Sequence, residues 1–319
     1  MPLKINQNKA GYAKIIYIII FGGAIGVFAK FALPAFSPFF LIFVRVVLSF
    51  LFFTAILAYQ KKLGETLKII WIHRWPLSLL ALSGVILGMI TSFVGLEKSS
   101  AVNYSLLFNA APLAMIFLSA WLLEERVGKA DYFLFIVALF GSLLIITQGR
   151  FSFSLFSKES FLGDILIFAG ALCWGLYSIL GPRLNNKHPE VSPLVAVYGA
   201  FLIAAVVMTP FVLKMGLSDV ASLIAVGEVG FATIASAILL SILSTALLFL
   251  LWLDLVSKRG GVVGSFVALI EDVAGAILPI FLLQEVLTIP TIVGGATVLL
   301  ASFVQTVVSA RNNKKKPTS

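Results

Sequence analysis

The run GVVGSFVALIEDVAGAILPIFLLQ (261–284) carries two adjacent carboxylates, Glu271 and Asp272, in a stretch that is otherwise free of charge. A helix needs about 20 mostly apolar residues to cross the roughly 30 Å hydrocarbon core of a bilayer, so this run is read as a membrane helix. The composition agrees. Of the 319 residues 60% are hydrophobic and 12% charged, against about 45–50% and about 25% in soluble domains. A soluble fold of this composition would expose extended apolar patches. The apolar runs lack the polar/apolar alternation of a barrel, which makes the class an all-α polytopic membrane protein.

Windows of that length give ten expected spans: 13–31, 37–59, 76–96, 101–123, 130–148, 162–181, 191–213, 230–253, 261–284 and 290–309. With the N-terminus inside, 17 of the 23 Lys and Arg fall in cytoplasmic segments and 4 outside (Lys98, Arg150, Lys158 and Lys214), leaving Lys30 and Arg45 within spans. The positive-inside rule then makes both termini cytoplasmic, in a bacterial-type inner membrane. The net charge of +9 reads as topology and contact with anionic lipid, not as nucleic-acid binding. The first apolar run has no small-residue cleavage site and is taken as span one. Lone Cys173 permits no internal disulfide, and no Cys/His cluster is spaced for a metal; no metal or cofactor is expected.

The chain is internally repetitive. "SPFFLIFVRVVLSF" (37–50) and "SPLVAVYGAFLIAA" (192–205) both open a span with Ser-Pro, and "LEKSSAV" (96–102) parallels "SKRGGVV" (257–263). "AMIFLSAWLLEERVG" (114–128) parallels "GAILPIFLLQEVLTI" (275–289) at that second offset, 161 residues. The expected organisation is a first five-helix repeat over 1–149, a linker over 150–160, a second over 161–310 and a basic tail over 311–319. Five spans per half is odd, so the second repeat is inverted. That is a signature of secondary transporters, which bind substrate near the midplane where the halves meet.

"GGAIGVFAKFALPAFSPFFLIFVRVVLSF", which includes Arg45, "GDILIFAGALCWGLYSIL" and the "LLEE" and "LLQE" ends of spans four and nine resemble the EamA-type branch of the drug/metabolite transporter superfamily. The resemblance covers nearly the whole chain. It implies ten helices around a central cavity and alternating access, often in metabolite exporters. One departure is Asp272, where related sequences often carry Pro beside the Glu.

Glu271 lies about 15 Å into span nine at 1.5 Å per residue, near the membrane centre, where a charged residue costs about 2.5–3.5 kcal/mol on the insertion scale. On a wheel of about 100° per residue the two acids straddle a face of Gly261, Gly264, Ser265, Ala268, Gly275, Ala276 and Pro279. Phe266, Ile270, Val273, Ile277, Ile280 and Phe281 lie opposite. The small face suits close helix approach or a cavity, so both acids are expected to point inward, one at the cavity and one at a neighbouring helix. A substrate ammonium or proton site and a packing ion pair are both open readings, the first favoured because intramembrane ionisable groups are functional by default.

Arg45 stands at a similar depth. It is read either as the partner of Glu271 or Asp272 or as a ligand for a substrate carboxylate; Lys30 is expected to snorkel. Asn103 and Asn109 on span four and Tyr198 on span seven are softer candidates. Trp174 and Tyr177 on span six are one turn apart and are placed as an aromatic wall of the cavity. Spans one, two, four, six, seven and nine are expected to line it. Glu124, Glu125 and Glu285, at span ends, are given solvated or capping roles.

The expected function is a secondary transporter that exports small polar metabolites, amino acids or related amines, with proton coupling. Lipids are its surroundings, and a monomer or weak dimer is its expected state. A lipid-linked-sugar flippase is the alternative. An intramembrane acid/base enzyme is disfavoured, since His73 and His188 lie in loops and no nucleophile–base set accompanies the acids. No ATP-binding loop of the G-x-x-x-x-G-K-[ST] type is present in the sequence.

Overall fold

The computed structural model describes residues 3–111, 129–149, 159–225, 230–259 and 261–314. Every regular element among them is helical. The first is α1 (Leu3–Gly23), followed after Ala24 by α2 (Ile25–Ala32), α3 (Pro38–Tyr59), α4 (Leu63–Ile72) and α5 (Arg74–Leu80). A π-helical turn, Ala81–Leu87, joins α5 to α6 (Gly88–Lys98), and α7 (Ala101–Phe108) and α8 (Lys129–Thr147) follow. Then come α9 (Glu159–Lys187), α10 (Pro193–Ala225) and α11 (Phe231–Ser241). A second π-helical turn, Ile242–Leu247, leads into α12 (Leu248–Arg259), α13 (Gly261–Leu282) and α14 (Ile289–Lys314). Among the described residues six helices are long and apolar enough to cross a membrane: Gly11–Ala32, Pro38–Tyr59, Arg74–Lys98, Glu159–Lys187, Pro193–Lys214 and Phe231–Arg259.

Local chemistry sets several helix ends. Ser37 caps α3, its hydroxyl accepting from Phe40 N at 3.4 Å with Pro38 at the first helical position, where a missing N–H costs nothing. At the other end Lys61 takes a left-handed φ of 56°. Lys61 and Lys62 N–H then donate to Ala58 O and Leu57 O, the paired bonds of a Schellman stop. Ser100 caps α7 through Asn103 N at 2.9 Å. The next two donors, Ala101 N and Val102 N, give to the two carboxylate oxygens of Glu285 at 2.8 and 2.9 Å; Glu285 is a capping residue, of a helix distant in sequence.

The helices pack through small residues, as membrane helices do where no hydrophobic drive separates protein from lipid. Gly95 of α6 and Gly163 of α9 meet so closely that a Cβ on either would press on the other's carbonyl oxygen. Of the bulky stripe expected on span nine, Ile270 (51% exposed), Ile277 and Phe281 (76%) face outward, whereas Ile280 packs against the core. At one end Lys14 Nζ, on α1, pairs with Asp254 of α12 at 2.7 Å.

Several boundaries differ from the sequence expectation. The segment between spans two and three is itself a helix, α4, with Trp71 and Ile72 exposed. Helix α10 continues past 213 to Ala225, and α9 and α14 overrun their windows. Spans three and eight are interrupted by the π turns, which hydropathy cannot register. The second part of span four, most of the 150–160 linker, Glu124, Glu125 and the last residues of the tail lie outside the described residues.

Candidate functional site

Residues from seven of the expected spans converge on a cavity with about 70 Å³ open to the centres of water-sized molecules, room for about five waters. Glu271 and Asp272 of α13 both border it, with Gly22 and Gly23 of α1 opposite. The expectation that only one acid would face the cavity is thereby revised. A Cβ on Gly22 would collide with the Glu271 side chain, which would have to swing aside, while at Gly23 the limit is backbone, Glu271 O at 3.0 Å and Gly275 N at 3.1 Å from where a Cβ would stand. Gly275, one turn along α13, packs against Ser105 and Gly23 in the same close manner.

Arg45 enters from α3 and is 2% exposed. Its Nε donates to Thr245 Oγ1 at 2.9 Å, and its guanidinium carbon lies 4.2 Å from the centre of the Phe93 ring, a cation–π contact of a desolvated cation. Its Nη1 has no hydrogen-bond partner among the described residues. Arg45 shares the cavity with the two acids but makes no ion pair with either, which corrects the paired reading. The reason is the second π turn. By widening the helix it presents Thr245, whose hydroxyl donates to Leu240 O at 2.6 Å while accepting from Arg45. Tyr17 Oη takes up another carbonyl of the turn, Leu243 O, at 2.9 Å, so backbone loosened by the bulge is re-satisfied by side chains.

Trp174 forms one wall. It stacks on Tyr177 with centroids 5.1 Å apart and planes 16° apart, and meets Phe249 edge-on at 4.8 Å. Tyr177 lies behind it, fully buried and off the cavity surface. Tyr198 is also off the cavity, stacked on Phe50 at 5.6 Å with its hydroxyl 3.2 Å from Thr54 Oγ1. Span seven therefore contributes no lining residue. The third span (Met89, Ser92, Phe93) and the eighth (Leu248, Phe249, Trp252) stand there instead. The sequence carried a signal for them in the 161-residue offset, which pairs the two π turns.

Asn103 is committed elsewhere. Its Nδ2 donates to both oxygens of Asp164 at 3.2 and 3.1 Å, and Ser99 Oγ donates to the same carboxylate. Asn109 is fully buried at the end of α7, its Nδ2 donating to Ser105 O at 3.4 Å and its Oδ1 unpartnered among the described residues. Neither borders the cavity, although Tyr104, Ser105 and Phe108 between them do. Lys30 is tied to Ser99 O, a specific bond where snorkelling is expected.

A model of the EamA-like transporter family matches the chain twice, over residues 9–147 and 161–307. An uncharacterized transporter of Archaeoglobus fulgidus is 24% identical over 303 residues, spanning 94% of this chain and 98% of that one. The uncharacterized inner membrane transporter YicL of Salmonella typhimurium is 24% identical over 314 residues, spanning 93% and 95%. A solved crystal structure shares the fold at a TM-score of 0.61 and 17% identity, covering 95% of this chain and 98% of its own.

Proposed function

This chain belongs to the EamA-like transporter family, and from that premise we propose that it exports a small polar metabolite, an amino acid or related amine, by proton-coupled alternating access. That it is a membrane transporter follows from the family; substrate class, direction and coupling are our reading. The observation that carries it is the pair Glu271 and Asp272 bordering one cavity with an incompletely partnered Arg45. Carboxylates and a guanidinium facing a common space suit a zwitterion, the acids taking its ammonium and Arg45 its carboxylate. A carboxyl group that can exchange charge for neutrality also supplies a proton carrier. Trp174 gives the cavity a flat face for the substrate.

The repeat architecture is part of this proposal: two inverted five-helix units over 1–149 and 161–310, a linker over 150–160, both termini cytoplasmic and the tail at 311–319. Its supports are the double family match and the two π turns, which begin at 81 and 242, an offset of 242 − 81 = 161. The small size of the cavity favours a metabolite over a lipid-linked sugar. The family leaves the intramembrane-enzyme reading without support.

The deciding experiment is uptake of radiolabelled amino acids and amines into proteoliposomes with and without a pH gradient. Gradient-dependent accumulation that disappears in Glu271→Gln, in protein that still folds, is the expected result. Undiminished transport by that variant would make the acid structural, and accumulation indifferent to the gradient would remove the proton.

A further inference from the structure

The chain has two histidines, His73 and His188, far apart in sequence and in different connections. The fold brings them together with Glu190. His73 closes α4, its N–H donating to Ile69 O at 3.0 Å. His188 and Glu190 share the turn between α9 and α10, which Val191 N closes onto His188 O at 2.8 Å and Asn185 Nδ2 braces through Val191 O at 2.9 Å. His73 Nε2 stands 2.9 Å from Glu190 Oε1, and His188 Nδ1 3.7 Å from the same oxygen. One donor atom from each of the three residues lies within 4.8 Å of the other two.

Around a tetrahedral Zn²⁺ with bonds of about 2.0–2.1 Å, ligand atoms stand about 3.3 Å apart. The two histidine–carboxylate separations fall on either side of that value. We propose that His73, His188 and Glu190 bind a divalent transition metal, Zn²⁺ by preference, leaving a fourth position to water. Two imidazoles and a carboxylate are a donor set suited to that ion. The side chains of His188 and Glu190 are 32% and 49% exposed, a path for the ion, while that of His73 is 11% exposed and anchors the site. The adjacent cation, Arg74, is occupied by Trp71, lying 4.9 Å from its ring centre and donating to its carbonyl at 3.1 Å. A metal here ties the corner between α4 and α5 to the turn between α9 and α10.

The test uses the purified full chain in detergent, stripped with a chelator and titrated with Co²⁺ and then Zn²⁺. We expect one equivalent of Co²⁺ with the visible absorption of a tetrahedral site, discharged by one equivalent of Zn²⁺. His73→Gln, His188→Gln and Glu190→Gln should each weaken Zn²⁺ binding by at least about tenfold, the smallest loss usual when a metal site is disturbed. Glu190→Gln sits on an exposed turn and keeps the test valid if a histidine variant misfolds. Hydrogen exchange should slow on Zn²⁺ addition at 73–74 and 188–191 in the wild type. Equal Zn²⁺ affinity in the wild type and Glu190→Gln, or binding that leaves exchange at both segments unchanged, overturns the proposal.

Discussion

The carboxylate of Glu271 occupies the volume that any side chain on Gly22 would need. Gly22→Ala should therefore overpack the seam between α1 and α13 and lower stability by about 1–3 kcal/mol, read as a fall in thermal unfolding temperature in detergent. Shortening the acid in Gly22→Ala/Glu271→Ala should return most of that loss. A Gly22→Ala protein as stable as the parent would mean that the Glu271 side chain swings aside at little cost.

Thr245, and neither acid, is what Arg45 bonds through Nε. Thr245→Val keeps the shape and removes the acceptor, leaving a buried charged donor short of a partner at a cost of about 1–3 kcal/mol. A double-mutant cycle of Arg45→Ala with Thr245→Val should show coupling of about 0.5–3 kcal/mol. The cycle of Arg45→Ala with Glu271→Gln should show less. The reverse order of couplings would restore the ion-paired reading of Arg45.

Trp174 and Tyr198 separate cavity from packing. Trp174→Ala should weaken substrate binding, measured on whichever amine or amino acid the proteoliposome screen identifies, and should reduce any substrate-dependent change in tryptophan fluorescence to what Trp252, the other tryptophan on the cavity, reports. Tyr198→Phe removes a hydroxyl bonded to Thr54, away from the cavity, and should leave affinity within about twofold while changing stability by about 0.5–1.5 kcal/mol.

Asp164 collects donors from Asn103 and Ser99. Asn103→Leu should strip two of those bonds and destabilise by about 1–3 kcal/mol, seen in the unfolding temperature, without altering substrate affinity. A selective loss of affinity in a stable Asn103→Leu protein would return Asn103 to the binding machinery.

These sites show what was legible beforehand. The Ser-Pro start of α3, the small face of α13 and the one-turn spacing of Trp174 and Tyr177 are local patterns, and local patterns translate directly into caps, helix faces and stacked rings. The partner of Arg45 is not local. It lies 200 residues away on a turn widened by one residue, and no residue type encodes a π turn as Pro or Gly encodes a kink or a stop. Asn103 and Asn109 illustrate a second limit. Hydropathy marks them as polar within a span, but their pairing with Asp164 and Ser105, not their depth, decides whether they reach the cavity. Helix α4 escaped because ten residues are too few to register as a span.

The bonds from Ala101 and Val102 to Glu285 join residues 184 and 183 positions apart, and this has a consequence for biogenesis. A ribosome adding about 5–20 residues per second delivers Glu285 roughly 10–40 s after Ala101. Until then the amides of Ala101 and Val102 lack the acceptors that cap them in the folded protein. A chain truncated before 285 never completes this cap, so the cap of α7 belongs to the full-length fold alone.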